Sequence, residues 1–179
     1  MHFFYPFYYD YHVTWELLGA LASLAGVALY VLRALGLYRM SKNTGLGRAW
    51  FAWVPFLHEY QCARMGDRAR KAQGKTEFLC SLTIAVGVIA VAGFVLRPIF
   101  WHIFLVGWIF RLAYSLVGLC WLVASVLADY WLYTDFEPSM AALYTILSVL
   151  RLDGIAKFLI RSNVPVGVAG VCIPKQPKY

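Results

Sequence analysis

Four charged residues stand where charge is costly. Arg111, Asp129, Arg151 and Asp153 lie inside or beside long apolar runs. An ionised side chain at the centre of a bilayer costs about 2.5–3.5 kcal/mol on insertion scales, so such groups pair or line a wet cavity. Arg111 against a carboxylate of a neighbouring helix, or Arg151 with Asp153, would form a structural clamp. The same residues could line a proton or anion path. His58 and Cys62 are four residues apart with Glu59 between them. Two ligands at that spacing can begin a metal site, but no second pair is visible, so the expectation is the polar surface of an amphipathic helix and no metal. His102, among Phe100, Trp101 and Phe104, reads as a polar residue at headgroup level. The cysteines Cys62, Cys80, Cys120 and Cys172 form no CxxC, which indicates neither zinc nor redox chemistry. No GxSxG, HExxH or P-loop pattern occurs. No catalytic residue and no cofactor are expected.

The elements that must position these residues follow from composition. Hydrophobic residues make up 61% of the 179 residues and charged residues 14%. Mean hydropathy is +0.64. A soluble domain carries about 25% charged residues, and a soluble globule this small would expose much of its apolar surface to water. Disordered chains are poor in apolar residues, so disorder is excluded too. The expected fold class is all-α: one polytopic helical membrane domain of about four membrane segments, plus a cytoplasmic interfacial amphipathic helix.

Residues 1–14 are rich in aromatics (Phe3, Phe4, Tyr5, Phe7, Tyr8, Tyr9, Tyr11) and hold no Lys or Arg. They lack the basic region of a signal peptide and read as a retained, interfacial, extracytoplasmic N-terminus. A first span is expected at 15–38. Arg33, one turn from its end, is expected to snorkel to the interface. A second span covers 77–97, stopped by Arg97-Pro98. A third covers 102–128 with Arg111 in its outer half; alternatively residues 99–110 lie flat and the span runs 112–133. Residues 129–137 form an inner turn. Residues 138–161, interrupted at Arg151-Leu152-Asp153-Gly154, are either a fourth span or a segment that enters and returns. An irregular tail, 162–179, follows.

Half of the 16 Lys and Arg residues lie between the first two spans: Arg39, Lys42, Arg48, Arg64, Arg68, Arg70, Lys71 and Lys75. This bias places the 39–76 loop in the cytoplasm and the N-terminus outside. Four full spans would put the C-terminus outside, against its own basic residues, and the side of the C-terminus stays open. Within the loop, Trp53, Phe56, Leu57, Tyr60 and Ala63 have the spacing of one helical face. An interfacial helix is expected, with Trp50, Trp53 and Phe56 toward the acyl boundary and Arg64, Arg68, Arg70 and Lys71 toward anionic headgroups. Asp67 and Lys71, four apart, would support its end. Short loops between spans suit lipid better than nucleic acid, and no nucleic-acid partner is expected.

The block Gly45…Trp50-Phe51-Ala52-Trp53-Val54-Pro55, with Asp135-Phe136-Glu137-Pro138 before a last apolar helix, resembles small multi-pass membrane proteins of Gram-positive bacteria with no assigned activity. The resemblance covers about residues 17–161. It implies a bacterial cell membrane and four membrane segments, and no reaction. The expected function is that of a non-enzymatic accessory, assembly or scaffolding subunit. It would act through helix–helix and lipid contacts, with a membrane-protein partner or as a homo-oligomer. One alternative is an oligomeric transporter or channel-like unit built around Arg111 and Arg151/Asp153. Another is a lipid-modifying enzyme using His58, Glu59 or Asp129.

Overall fold

Three helices are long and apolar enough to cross a membrane: Trp15–Asn43, Leu79–Arg97 and Gly107–Phe136. They belong to a computed structural model that describes residues 5–100 and 104–166, with side chains described for 15–97 and 107–166. The elements are α1 (Tyr5–Asn43), a 3-10 helix (Ala49–Trp53), α2 (Pro55–Ala72), α3 (Leu79–Phe100), α4 (Phe104–Phe136), a 3-10 turn (Pro138–Met140), α5 (Ala141–Val149) and α6 (Asp153–Leu159). No strand occurs among the described residues. The expectations for the aromatic N-terminus, for His102 and for the tail from 167 onward lie outside the described side chains.

Local chemistry accounts for the element boundaries. Pro55 sits in the first turn of α2, where its missing N–H is not needed. Gly74, at φ 69°, turns the chain out of α2. The start of α3 is capped from another helix. Asp67 of α2 accepts the backbone N–H groups of Phe78, Leu79 and Cys80 at 3.0, 2.9 and 2.8 Å. Asp67 therefore does not support Lys71 as its spacing suggested. Lys71 pairs with Glu77 at 2.7 Å instead. α3 also runs through Arg97-Pro98 to Phe100. Proline withdraws a single N–H, which the rest of the helix tolerates.

Two expected boundaries move. α4 does not stop at 128 for a polar turn. It continues to Phe136, because Asp129 is neutralised inside the protein rather than in water. The segment 138–161 is not one helix either. It splits at Leu150–Leu152, where Arg151 adopts φ 62°, into helices of nine and seven residues. Neither approaches the roughly 20 residues needed to span.

The two short helices form a hairpin. α5 runs back along α4, bringing Ser148 to Asp129 and Tyr133. α6 then runs alongside α1 in the same direction. Gly154 backs onto Leu29 and Arg33, Lys157 lies over Gly36, and Asn43 donates to the Arg161 carbonyl at 3.2 Å. A Cβ on Gly36 would lie 2.6 Å from the Lys157 carbonyl carbon, and one on Gly154 would overlap the Leu29 carbonyl. Only glycine permits this approach of α6 to α1. The hairpin closes where it opened. Asn163 donates to the Phe136 carbonyl and to Glu137, and the Val166 N–H donates to the Asp135 carbonyl at 2.7 Å.

The core is gathered at one end of the long helices. Leu37 and Met40 of α1, Cys62 and Met65 of α2, Leu79 of α3, Leu132 and Tyr133 of α4 and Ile160 after α6 are all buried together. The opposite halves are apolar and exposed, as at Leu21, Leu24, Phe94, Val95, Trp108 and Leu116. Water penalises such surface, whereas lipid tails are as apolar as the side chains themselves.

Candidate functional site

At the closed end of the bundle five charged side chains from four helices meet. Arg33 of α1 contacts Glu59 of α2 through Nη2 and Asp153 of α6 through Nε, both at 2.5 Å. Lys157 of α6 contacts Asp153 and Asp129 of α4, both at 2.8 Å. Ser148 of α5 donates to Asp129 at 2.9 Å, and its oxygen lies 3.0 Å from the Tyr133 hydroxyl. The Lys157 side chain is 0% exposed. A buried charge is tolerated only when paired and hydrogen-bonded, which this cluster achieves for its two cations.

α2 supplies the wall beside it. His58 is fully buried and its Nδ1 lies 3.0 Å from the Ala52 carbonyl in the 3-10 helix. Its Nε2 and the Oε2 of Glu59 are buried without a hydrogen-bond partner. Gln61 donates to Ser41 at 3.0 Å, tying α2 to α1 a turn further on. Burial, then the nearby cations Lys157 and Arg33, hold the His58 pKa well below its usual value, so the ring is neutral at physiological pH. Burial raises the Cys62 thiol far above the usual range, so it is inert as a nucleophile.

Several sequence expectations are corrected by this geometry. Arg33 does not snorkel out of the helix but turns inward, because two carboxylates meet it there. His58, Glu59 and Cys62 are not a polar surface. They form the buried face of α2, while Phe56, assigned to the apolar face, is 68% exposed. Glu59 is drawn into the core by Arg33, and His58 and Cys62 are buried beside it. Asp153 pairs with Lys157 and Arg33, and Arg151 stands exposed in the hairpin turn rather than bonding to it. Arg111 is exposed on α4, away from the cluster.

The interfacial residues divide into two groups. Trp50 and Trp53 are exposed. The basic residues are partly committed to the protein itself. Arg64 donates to the Gly47 carbonyl, Arg68 to the Thr44 carbonyl and Arg70 to the Thr76 carbonyl. Arg70 also stacks on Phe78 and Trp131, with ring centroids 4.5 and 5.0 Å away.

Sequence reasoning missed Arg33 and Lys157 as cluster members. One signal was present. Asp153 and Lys157 lie four apart inside an apolar run, the spacing of a pair on one helix face. Among the described residues no group of three or more His, Cys, Asp or Glu side chains is arranged to hold a metal ion. Chemically, the cluster can fasten four helices to one another. Compared with protein-family models, with curated proteins and with solved structures, the chain matches none.

Proposed function

We propose that the chain is an integral membrane protein that works by contact rather than by reaction, as an accessory or scaffolding subunit. The observation that carries this reading is the ion cluster itself. Charges from α1, α2, α4 and α6 are spent on one another at 2.5–2.8 Å, which is the arrangement of a fastener. The exposed apolar halves of three long helices are left to face lipid or the helices of a partner.

In this reading α1, α3 and α4 cross the bilayer, and α5 with α6 enter it and return. The hairpin's closing hydrogen bonds at Asn163 and Val166, which bring it back beside the end of α4, support that return. The basic 39–76 loop lies in the cytoplasm and the N-terminus outside, by the excess of Lys and Arg in that loop. The resemblance to small membrane proteins of Gram-positive bacteria supports a bacterial cell membrane.

A second reading, a proton or ion path, is favoured by one observation. Three carboxylates face two cations in the cluster, and His58 Nε2 and Glu59 Oε2 are buried without partners. Reconstitution of the purified chain into liposomes separates the two. A contact protein leaves an imposed pH gradient intact, in wild type and in Glu59→Gln alike. Dissipation by the wild type that Glu59→Gln abolishes would transfer the assignment to the path. A lipid-modifying enzyme built on His58, Glu59 and Asp129 is disfavoured, because the fold closes these atoms off from substrate.

A further inference from the structure

A groove of about 690 Å³ opens between the loop after α1, helix α2, helix α3 and Trp121 of α4. That volume lies within the range of small-molecule sites, about 300–1,000 Å³. Its walls are apolar from Thr83 to Ala92 along α3. At 1.5 Å per residue this stretch is about 13 Å long, close to half of the roughly 30 Å hydrocarbon thickness, or one leaflet. The α3 start, and with it the mouth of the groove, lies at the end of the bundle that carries the basic loop.

The mouth is charged. Arg48 lines it with its guanidinium over the Phe51 ring, 5.8 Å from the centroid, and makes no ion pair with a carboxylate among the described residues. Arg48 also holds φ 66° and ψ 40°, a left-handed conformation that disfavours a residue with a Cβ. Tyr60 is shared with a second depression of about 460 Å³ that contains Arg64, Arg68 and Lys71 beside Asp67 and Glu77, the last paired with Lys71. Arg64 lies over the Tyr60 ring, 5.9 Å from the centroid. Arg48 thus borders an apolar slot about one leaflet long, with Arg64 beside the shared Tyr60 and the exposed Phe56 in its wall.

We infer that this groove holds one acyl chain of an anionic glycerophospholipid whose phosphate sits between Arg48 and Arg64. Charge complementarity selects the headgroup, and the length and apolarity of the slot select the chain. The inference rests on the membrane reading above and deepens it. If that reading fails, the protein stays monodisperse in buffer without detergent. If only the groove is wrong, it needs detergent but ignores headgroup charge.

The test is native mass spectrometry of the full chain in detergent, titrated with phosphatidylglycerol or phosphatidylcholine of identical chains. One basic residue near an anionic surface gains about fivefold in binding, so the first phosphatidylglycerol should bind about fivefold more tightly than phosphatidylcholine. Arg48→Gly suits the left-handed backbone and should fold at least as well as wild type, yet lose that preference while still binding phosphatidylcholine. Val88→Trp, at a position 63% exposed, should obstruct the slot and weaken both lipids while circular dichroism stays unchanged. Equal binding of both lipids by wild type, or a preference kept in Arg48→Gly, would overturn the inference. So would full competition by glycerol phosphate, which has a phosphate and no chain.

Discussion

Lys157 shows what a single side chain does here. Among the described residues it is the one cation that touches both Asp129 and Asp153, and no part of its side chain reaches solvent. Removing one partner from a buried ion pair typically costs about 3–5 kcal/mol, because the remaining charge loses its compensation. Lys157→Met should lower the unfolding free energy in detergent by that order, measured by chemical denaturation. Arg151→Gly should be neutral or stabilising in the same assay, since Arg151 is exposed at φ 62°. His58 supplies a pH dependence. Its pKa in the folded protein is depressed below 6.5, so the unfolded chain binds the extra proton first as pH falls. Stability contributed by the neutral ring is complete above pH 6.5 and is lost as pH drops below it. The melting temperature should hold from about pH 8 to 7 and decline below about 6.5, and His58→Asn should flatten that decline. The groups facing this ring are Lys157, Arg33 and Asp153.

At the scale of elements, two devices join helices that are remote in the chain. Asp67 caps α3 from α2 with three hydrogen bonds. Replacing a capping side chain with alanine costs about 0.5–2 kcal/mol, so Asp67→Ala should destabilise by about that much. Amide exchange should rise first at Phe78, Leu79 and Cys80. The second device is the glycine contact between α1 and α6. Gly36→Leu should separate α6 from α1, because the atoms it would strike are the Lys157 backbone and cannot swing aside. Overpacking of this kind costs about 1–3 kcal/mol. Gly26→Leu on the same helix meets nothing within 4 Å and should be silent by the same thermal measurement. These elements also show what the sequence made legible. The apolar runs announced α1, α3 and α4. The Arg151-Leu152-Asp153-Gly154 interruption announced a break in the last segment. Periodicity located α2 but left His58, Glu59 and Cys62 on its surface. A polar face is buried when partners wait for it, and here Arg33 draws in Glu59, with His58 beside it.

Across the whole molecule, burial is concentrated at one end and apolar surface is exposed at the other. A cysteine-accessibility map in sealed vesicles should label Gly74→Cys and Ser162→Cys from the same side, and Trp15→Cys from the opposite side. Labelling of Gly74→Cys and Ser162→Cys from opposite sides would replace the returning hairpin with a fourth crossing. The sequence by itself determined the solvent: composition and run length are sums over residues, and they demand oil wherever the chain folds. The sidedness proposed for the loop rests on the same kind of sum, over Lys and Arg. Only the tertiary structure decided which charges meet. Arg33, Glu59, Asp129, Asp153 and Lys157 are separated by up to 124 positions, from 33 to 157. Pairing energy depends on the distance between side chains, which no local pattern encodes.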